Sequence, residues 1–325
     1  MFKAIAISSA LAFAAPALAQ SDYPSRPVRV LLGFAAGGPT DVVGRMYTAK
    51  ISEYMGQQVF IDNRAGAAGI IATELAARAK PDGYTLLLGV ISTHGLAPAL
   101  RQGNLPYDAV KDFAPVQLAV NVPMIIVVNP KLIQAKDVKS LIAELRAGGA
   151  GKYEFGSSGN GGISHMCMEL FKQRTGLKEL VHVPYNGTGP AFNDLFAGRL
   201  SMICEGVGGA AGHVRSGAVR GIGAATLKRA HALPELPTIS ESGLAGFEAY
   251  TWNMFFAPAA TPRPIVERVN RELNRAAKDP TMRPKLDALG VEVVEDSTPD
   301  SLKNFVATEV ERWTAVAKAS GIKVE

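Results

Sequence analysis

Two stretches of this chain combine glycine with small polar residues in a way that suits an anion. The first reads Leu31-Leu32-Gly33-Phe34-Ala35-Ala36-Gly37-Gly38-Pro39-Thr40-Asp41, and the second Phe155-Gly156-Ser157-Ser158-Gly159-Asn160-Gly161-Gly162-Ile163-Ser164. Each is an apolar run, a glycine-rich turn and then a segment whose apolar residues recur at helical spacing. A helix N-terminus carries about four unpaired N–H groups and a partial positive charge. Glycine lets a ligand approach those amides without meeting a Cβ. Such a turn is a ready anion site, and ligands of open α/β sheets bind at the carboxyl ends of strands. Two facing sites of this kind would grip a carboxylate from both sides. A lone loop would read more simply as a tight turn into a helix capped by Thr40, Asp41 or Ser164. Two loops in corresponding places of two lobes favour the ligand.

Other chemistry fits less well. The chain holds no G-x-x-x-x-G-K-[ST] sequence, and Gly159-Asn160-Gly161-Gly162-Ile163-Ser164 has serine where a dinucleotide fingerprint has its third glycine. Gly156-Ser157-Ser158-Gly159-Asn160 is one residue away from a nucleophile elbow, so an exported hydrolase using Ser157 or Ser158 stays open. Its base would be His94, His165, His182, His213 or His231, and spacing selects none of them. His165, just inside a helix, could donate to an anion or simply cap and pack. His182 alternates with Val181 and Val183, as a satisfied strand histidine does. Tyr185 and Asn186 end that strand and could offer hydroxyl and amide groups to the cleft. Glu205 ends the strand carrying Cys204, either as an exposed strand-end acid or as a ligand contact. Cys167 and Cys204 are the only cysteines. They could be joined in an exported protein or stand as two buried thiols. With no C-x-x-C or H-x-x-x-H spacing, neither a metal site nor a cofactor is expected.

The elements that must carry these residues alternate. Strands are expected at Val28 to Phe34, Val59 to Asp62 and Tyr84 to Ile91, with helices at Asp41 to Met55 and Ile70 to Ala79 between them. Near-continuous apolar strands interleaved with helices imply a parallel sheet covered on both faces. A second round follows: strand Ile125 to Val128, helix Asp137 to Ala147, strand Tyr153 to Gly156, and helix Ile163 to Thr175 with Gly176 at its end. Strand Val181 to Tyr185, a helix begun by Thr188 and Pro190, and strand Leu200 to Cys204 complete it. Strands Val219 to Ala225 and Trp252 to Ala257 and two long helices, near 264–278 and 299–319, close the chain.

At 325 residues the prior is two domains. An apolar fraction of 47% with 19% charged residues excludes a disordered chain. Met1 to Ala19 has the plan of a cleaved signal peptide: Lys3, an apolar stretch from Ala4 to Ala15, and the small-x-small site Ala17-Leu18-Ala19. Its apolar core is too short to span a bilayer. The net charge of +5 is spread along the chain with few aromatics among the basic residues, which argues against nucleic acid as a partner.

Ordered motifs run the length of the mature chain: Tyr23-Pro24-Ser25-Arg26-Pro27-Val28-Arg29, Gly37-Gly38-Pro39-Thr40-Asp41, Asn63-Arg64-Ala65-Gly66-Ala67-Ala68-Gly69 and Pro81-Asp82-Gly83-Tyr84-Thr85-Leu86. Lys111-Asp112-Phe113, Ser157-Ser158-Gly159, His182-Val183-Pro184-Tyr185 and Leu236-Pro237-Thr238 continue the series. In these the chain resembles the Bug (TctC-like) periplasmic solute-binding proteins of tripartite tricarboxylate transporters. The resemblance implies an α/β, type II periplasmic-binding-protein fold whose two lobes close on a small carboxylate. That ligand would be a di- or tricarboxylate, an acidic amino acid or an aromatic acid. The resemblance further implies a non-catalytic monomer in the periplasm that delivers its ligand to inner-membrane transporter subunits; a sensor docking a membrane kinase is the alternative partner. Residues 22–120 with about 218–248 and 298–325 are expected in lobe 1, and 121–217 with about 249–297 in lobe 2. The ligand-binding set falls on Gly37, Gly38, Pro39, Thr40, Asp41 and Thr93 in lobe 1. In lobe 2 it falls on Ser157, Ser158, Gly159, Asn160, Gly161, Gly162, His165, Tyr185, Asn186 and Glu205. The chain departs from the family pattern in Ala36 and Ala65, where proline is usual, and in the placing of Glu205.

Overall fold

In the computed structural model, residues 23–322 are described, except 102 and 186. The expected signal segment therefore lies outside the described residues. The short apolar runs form parallel strands: β1 (Val28–Leu32) lies between β2 (Val59–Asn63) and β3 (Thr85–Val90). Helices α1 (Pro39–Met55) and α2 (Ile70–Ala77) connect them, and a π-helical turn at Ser92–Leu96 leads into the short α3 (Ala97–Arg101). The next strand, β4 (Phe113–Val128), is much longer than the four residues expected. Pro115 and Pro123 argue in sequence against so long a strand. The ladder absorbs Pro115 at a register shift between Pro115 and Gln117. After α4 (Val138–Gly148), the strands β5 (Glu154–Ser157), β6 (Val181–Pro184) and β7 (Met202–Gly206) build a second parallel group. The helices α5 (Ile163–Thr175), α6 (Thr188–Ala197) and α7 (Val207–Arg215) accompany it.

Strand β4 serves both halves. Its residues 113–123 pair with β9 (Tyr250–Pro258), which also pairs antiparallel with β3. Its residues 124–128 pair with β7 and with β8 (Arg220–Ala224). This corrects the expected division of the late chain: β8 belongs with the second sheet and β9 with the first, the reverse of placing 218–248 in lobe 1 and 249–297 in lobe 2. Both strands are short apolar runs of the same kind, so only the partner that each one pairs with could assign them. After α8 (Arg263–Ala277) and α9 (Arg283–Ala288), β10 (Glu292–Val293) pairs with the first-sheet part of β4. The last helix, α10 (Phe305–Ser320), packs on the π turn and α3 of the first half and on α5 of the second. Trp252 Nε1 donates to Glu309 Oε2 at 3.1 Å where β9 meets α10.

The apolar packing follows the same plan. Tyr47 and Ile51 of α1 and Val269 and Leu273 of α8 cover one face of the first sheet. Leu195 of α6 and Ala210 of α7 cover the outer face of the second. A third cluster runs through both halves, from Leu87 and Phe256 through Trp252 and Trp313 to Phe155 and Phe171. The two-lobed α/β architecture with chain crossings between the lobes is thus present.

Cys167 of α5 and Cys204 of β7 are joined, their Cα atoms 6.4 Å apart, which decides the alternative that spacing left open. The bridge ties the helix that follows the second glycine loop to the strand that carries Glu205. On the chain-entropy account, a bridge across a sequence separation of 37 stabilises by about 4 kcal/mol. Reduction, or the Cys167→Ser and Cys204→Ser pair, is therefore expected to lower the urea midpoint, with a slope equal to or steeper than that of the bridged protein because the unfolded chain is released. An identical midpoint with and without reductant would refute this.

Candidate functional site

A cavity of about 800 Å³ opens where the two sheets meet, and both glycine loops line it. Five helices start there: α1, α2, α5, α6 and α7 contribute Pro39, Ile70, Ile163, Thr188 and Gly208 to its wall. Each has glycine at the N-cap (Gly38, Gly69, Gly162, Gly187 and Gly206) and none has a side-chain cap. Away from the cavity, α4 is closed by Asp137, which accepts from Ser140 N at 2.8 Å. Glycine caps cost little stability relative to capping side chains but leave the first-turn amides free for a ligand. Thr40, Asp41 and Ser164, the caps considered from sequence, do not take that role.

The first loop is held from behind. Asp41 is buried, and its Oδ2 accepts from Gly37 N at 2.9 Å and from Arg45 Nε at 2.8 Å. Asn63 Nδ2 donates to Asp41 Oδ1 at 2.9 Å and to Phe34 O at 3.0 Å. Burial alone would raise this carboxyl, but Arg45, the Gly37 amide and Asn63 together hold it below the usual aspartate range. Asp41 is thus a brace for the loop, and its side chain does not line the cavity. Thr93 is also behind the wall: its hydroxyl donates to Val90 O at 3.0 Å and lies 2.9 Å from His94 Nδ1.

The second loop rests on a histidine stack. Ser157 Oγ is 2.7 Å from His182 Nε2, and Gly159 N donates to the same oxygen. His165 stacks on His182 with ring centroids 3.7 Å apart, and Gly161 N donates to His165 Nδ1 at 3.1 Å. That bond leaves the His165 proton on Nε2, 3.7 Å from Glu169 Oε1. Burial, with His165 alongside, pushes His182 down to about 4, so it is neutral at physiological pH. Ser164 Oγ accepts from Ser158 N at 2.9 Å. Ser157 has no exposed surface and His182 is backed by a ring instead of a carboxylate, so the pair pins the loop and offers no nucleophile to the cavity. Tyr185 turns away too, its hydroxyl donating to Asp194 Oδ2 at 2.8 Å; burial and Asp194 push the phenol up to about 12.

Of the residues expected from sequence, Gly37, Pro39, Thr40, Ser158, Gly159, Asn160, Gly161, Gly162 and Glu205 line the cavity. Gly38 sits between two of them as the α1 cap. Asp41, Thr93, Ser157, His165 and Tyr185 form the backing layer, and Asn186 lies outside the described residues. Sequence reasoning missed Arg101, the one cation among the described lining residues, and the polar pair Thr251 and Asn253 on the cavity floor. Arg101 ends a helix of five residues that leaves no periodic signal. Thr251 and Asn253 did leave one: they are polar residues at i and i+2 in an otherwise apolar strand. Val90, Ile91, Leu100, Val122, Met124 and Leu289 supply the apolar remainder.

The family described as "Tripartite tricarboxylate transporter family receptor" (TctC) matches residues 43–322. The periplasmic binding protein BugD superposes with a TM-score of 0.78 at 34% identity, covering 93% of this chain and 100% of that one. Rpa4515 of Rhodopseudomonas palustris, solved with adipate, gives 0.80 at 33% identity over 93% and 99% of the two chains. MatC from the same organism, solved with bound malate, gives 0.77 at 34% identity over 90% and 99%. By this full-length similarity, the chain belongs to the TctC family of tripartite tricarboxylate transporter receptors.

Proposed function

We propose that this protein is a periplasmic receptor that encloses a small organic carboxylate in the central cavity and passes it to inner-membrane transporter subunits. One observation carries the reading: five uncapped helix starts and Arg101 converge on a single cavity. The adipate and malate bound by the two Rhodopseudomonas relatives are carboxylates of a size such a cavity holds. Micromolar affinity corresponds to about −8.2 kcal/mol, within reach of several charge-assisted hydrogen bonds at roughly 1.5–3 kcal/mol each once ordering costs are met. The apolar walls exclude water, which strengthens those bonds. Strand β4 runs from the first sheet into the second beside the cavity, so its middle, near Val122 and Met124, is the place for a hinge that ligand holds closed.

A thermal-shift screen of mono-, di- and tricarboxylates, amino acids and aromatic acids tests the reading. Ligand at 100 times its dissociation constant adds about 2.7 kcal/mol to the folded state. Hits among the acids, and none among neutral sugars, are expected. A flat response to every acid from folded, ligand-free protein would overturn the proposal.

A further inference from the structure

The cavity contains one acid with a carboxyl oxygen that nothing in the protein satisfies. Glu205 ends β7 and lines the cavity, and its Oε2 is sealed from solvent without a hydrogen-bond partner. A buried carboxyl oxygen left in this way calls for a donor. Arg101 does not supply it, since no ion pair joins the two among the described residues. The neighbouring elements bring no charge either. Beside Glu205 stand Met124, Ile125 and Ile126 on β4 and Val207, Gly208 and Gly209 in the first turn of α7. The charged side chains of the helices packed on β7 are engaged elsewhere: on α5 Glu169 pairs with Lys172 at 2.8 Å and His165 accepts from Gly161 N, and on α6 Asp194 holds Tyr185 and Arg199. Across the cavity floor, β9 contributes Thr251 and Asn253, both able to accept from a ligand N–H.

Resting on the receptor reading above, we propose that Glu205 is a specificity-determining residue that selects a carboxylate carrying a protonated nitrogen at its far end. The ligand carboxylate would sit against the glycine loops and Arg101, and its ammonium would donate to Glu205, with Thr251 and Asn253 as further acceptors. Charge complementarity supports this occupant over a dicarboxylate. One cation and one acid line the cavity among the described residues, and a zwitterion neutralises both, whereas a second ligand carboxylate would face Glu205 with like charge. Burial pushes the Glu205 carboxyl up to about 7, opposed only by the Gly206 amide. Because the ammonium pairs with the ionised form, binding releases a proton when the pH is at or below that value. Affinity for the zwitterion should therefore rise about tenfold per pH unit up to about 7 and level off above it.

Calorimetry on the mature protein with three matched series of two to six carbons provides the test: ω-amino acids, the dicarboxylates of equal length and the plain monocarboxylates. At pH 8 the best ω-amino acid is expected to bind at least tenfold tighter than its monocarboxylate and its dicarboxylate. The preference should vanish in Glu205→Gln, and proton release should appear near pH 6.5 in buffers of differing ionisation enthalpy. A dicarboxylate that wins at every length, or a preference unmoved by Glu205→Gln, would overturn the role of Glu205 while leaving the receptor reading intact. Failure of all three series to bind would likewise overturn the role of Glu205, while the receptor reading falls only if the wider screen of acids is flat as well. The wild-type comparison stands on its own should the variant fold poorly.

Discussion

Gly208→Ala is expected to weaken ligand binding at least tenfold while leaving each half of the molecule folded. Gly208 lies in the first turn of α7, and a Cβ there would stand 2.1 Å from the carbonyl oxygen of Leu289 and 3.0 Å from its carbon. A Cβ on Gly290, at φ +69°, would in turn stand 2.8 Å from both the Cα and the N of Gly208. The obstacle is backbone, so no rotamer change relieves it. The two segments must part by on the order of 1 Å to reach ordinary contact. They belong to different halves: α7 follows β7 of the second sheet, and Leu289 and Gly290 lead into β10, which pairs with the first-sheet part of β4. Ala288, Leu289, Val291 and Gly208 all line the ligand cavity. The added methyl thus acts as a wedge on a wall of the cavity, and a tenfold loss corresponds to about 1.4 kcal/mol. Gly212→Ala, in the same helix with open space around it, is the control. It should bind normally and gain up to about 1 kcal/mol of helix stability. Solution scattering of ligand-loaded Gly208→Ala should show a more open particle than wild type. Unchanged affinity and an unchanged scattering profile would show that this contact does not govern closure.

That wall also marks where sequence reading stopped. The helix α7 was absent from the expected elements because Val207-Gly208-Gly209-Ala210-Ala211-Gly212 has neither the propensity nor the apolar period of a helix. Gly208 allows close approach to Leu289, and Gly208 and Gly209 line the cavity. Helix α5, by contrast, was legible to both ends, because its apolar period and its C′ glycine agree. The strand β4 is expected from sequence only over its last four residues; Pro115 and Pro123 speak against a longer run, but pairing with β9 carries the strand through both, with a register shift at Pro115. The same limit explains the exchanged assignments of β8 and β9. Strand periodicity says that a run is buried but not beside which strand it lies.

For the site, backbone chemistry was easier to read than side-chain chemistry. The two glycine loops were visible as strand–turn–helix junctions, and they do face one cavity. The polar side chains around them were harder, because burying a polar group requires partners and sequence does not show which partners it finds. Asp41, Thr93, Ser157, His165 and Tyr185 all found theirs within the protein, and so serve as bracing. Glu205 kept one buried oxygen without a partner and remained a candidate for ligand contact. That difference was invisible in spacing and decides which polar residues are left over for a ligand.

The second large effect is expected at the loop that the histidines hold up. Gly161→Asp should raise the dissociation constant for any carboxylate at least a hundredfold. Gly161 lines the cavity at φ +72° and keeps its own amide on His165 Nδ1. Aspartate tolerates a left-handed backbone better than most residues, at a cost of roughly 1–2 kcal/mol or less, so the loop can keep its course. Its carboxylate would then occupy the space into which the first-turn amides of α5 point, and those amides would satisfy it in place of the ligand. Two like charges about 4 Å apart near a protein surface repel by about 4 kcal/mol, which exceeds the backbone term. Gly161→Asn separates charge from shape, because it carries the same bulk and a similar tolerance for positive φ. It is expected to lose about tenfold or less, and the gap between the two variants should narrow in high salt. Equal losses in Asp and Asn would make steric filling the cause, and unchanged affinity in both would remove the second loop from the ligand's surroundings altogether.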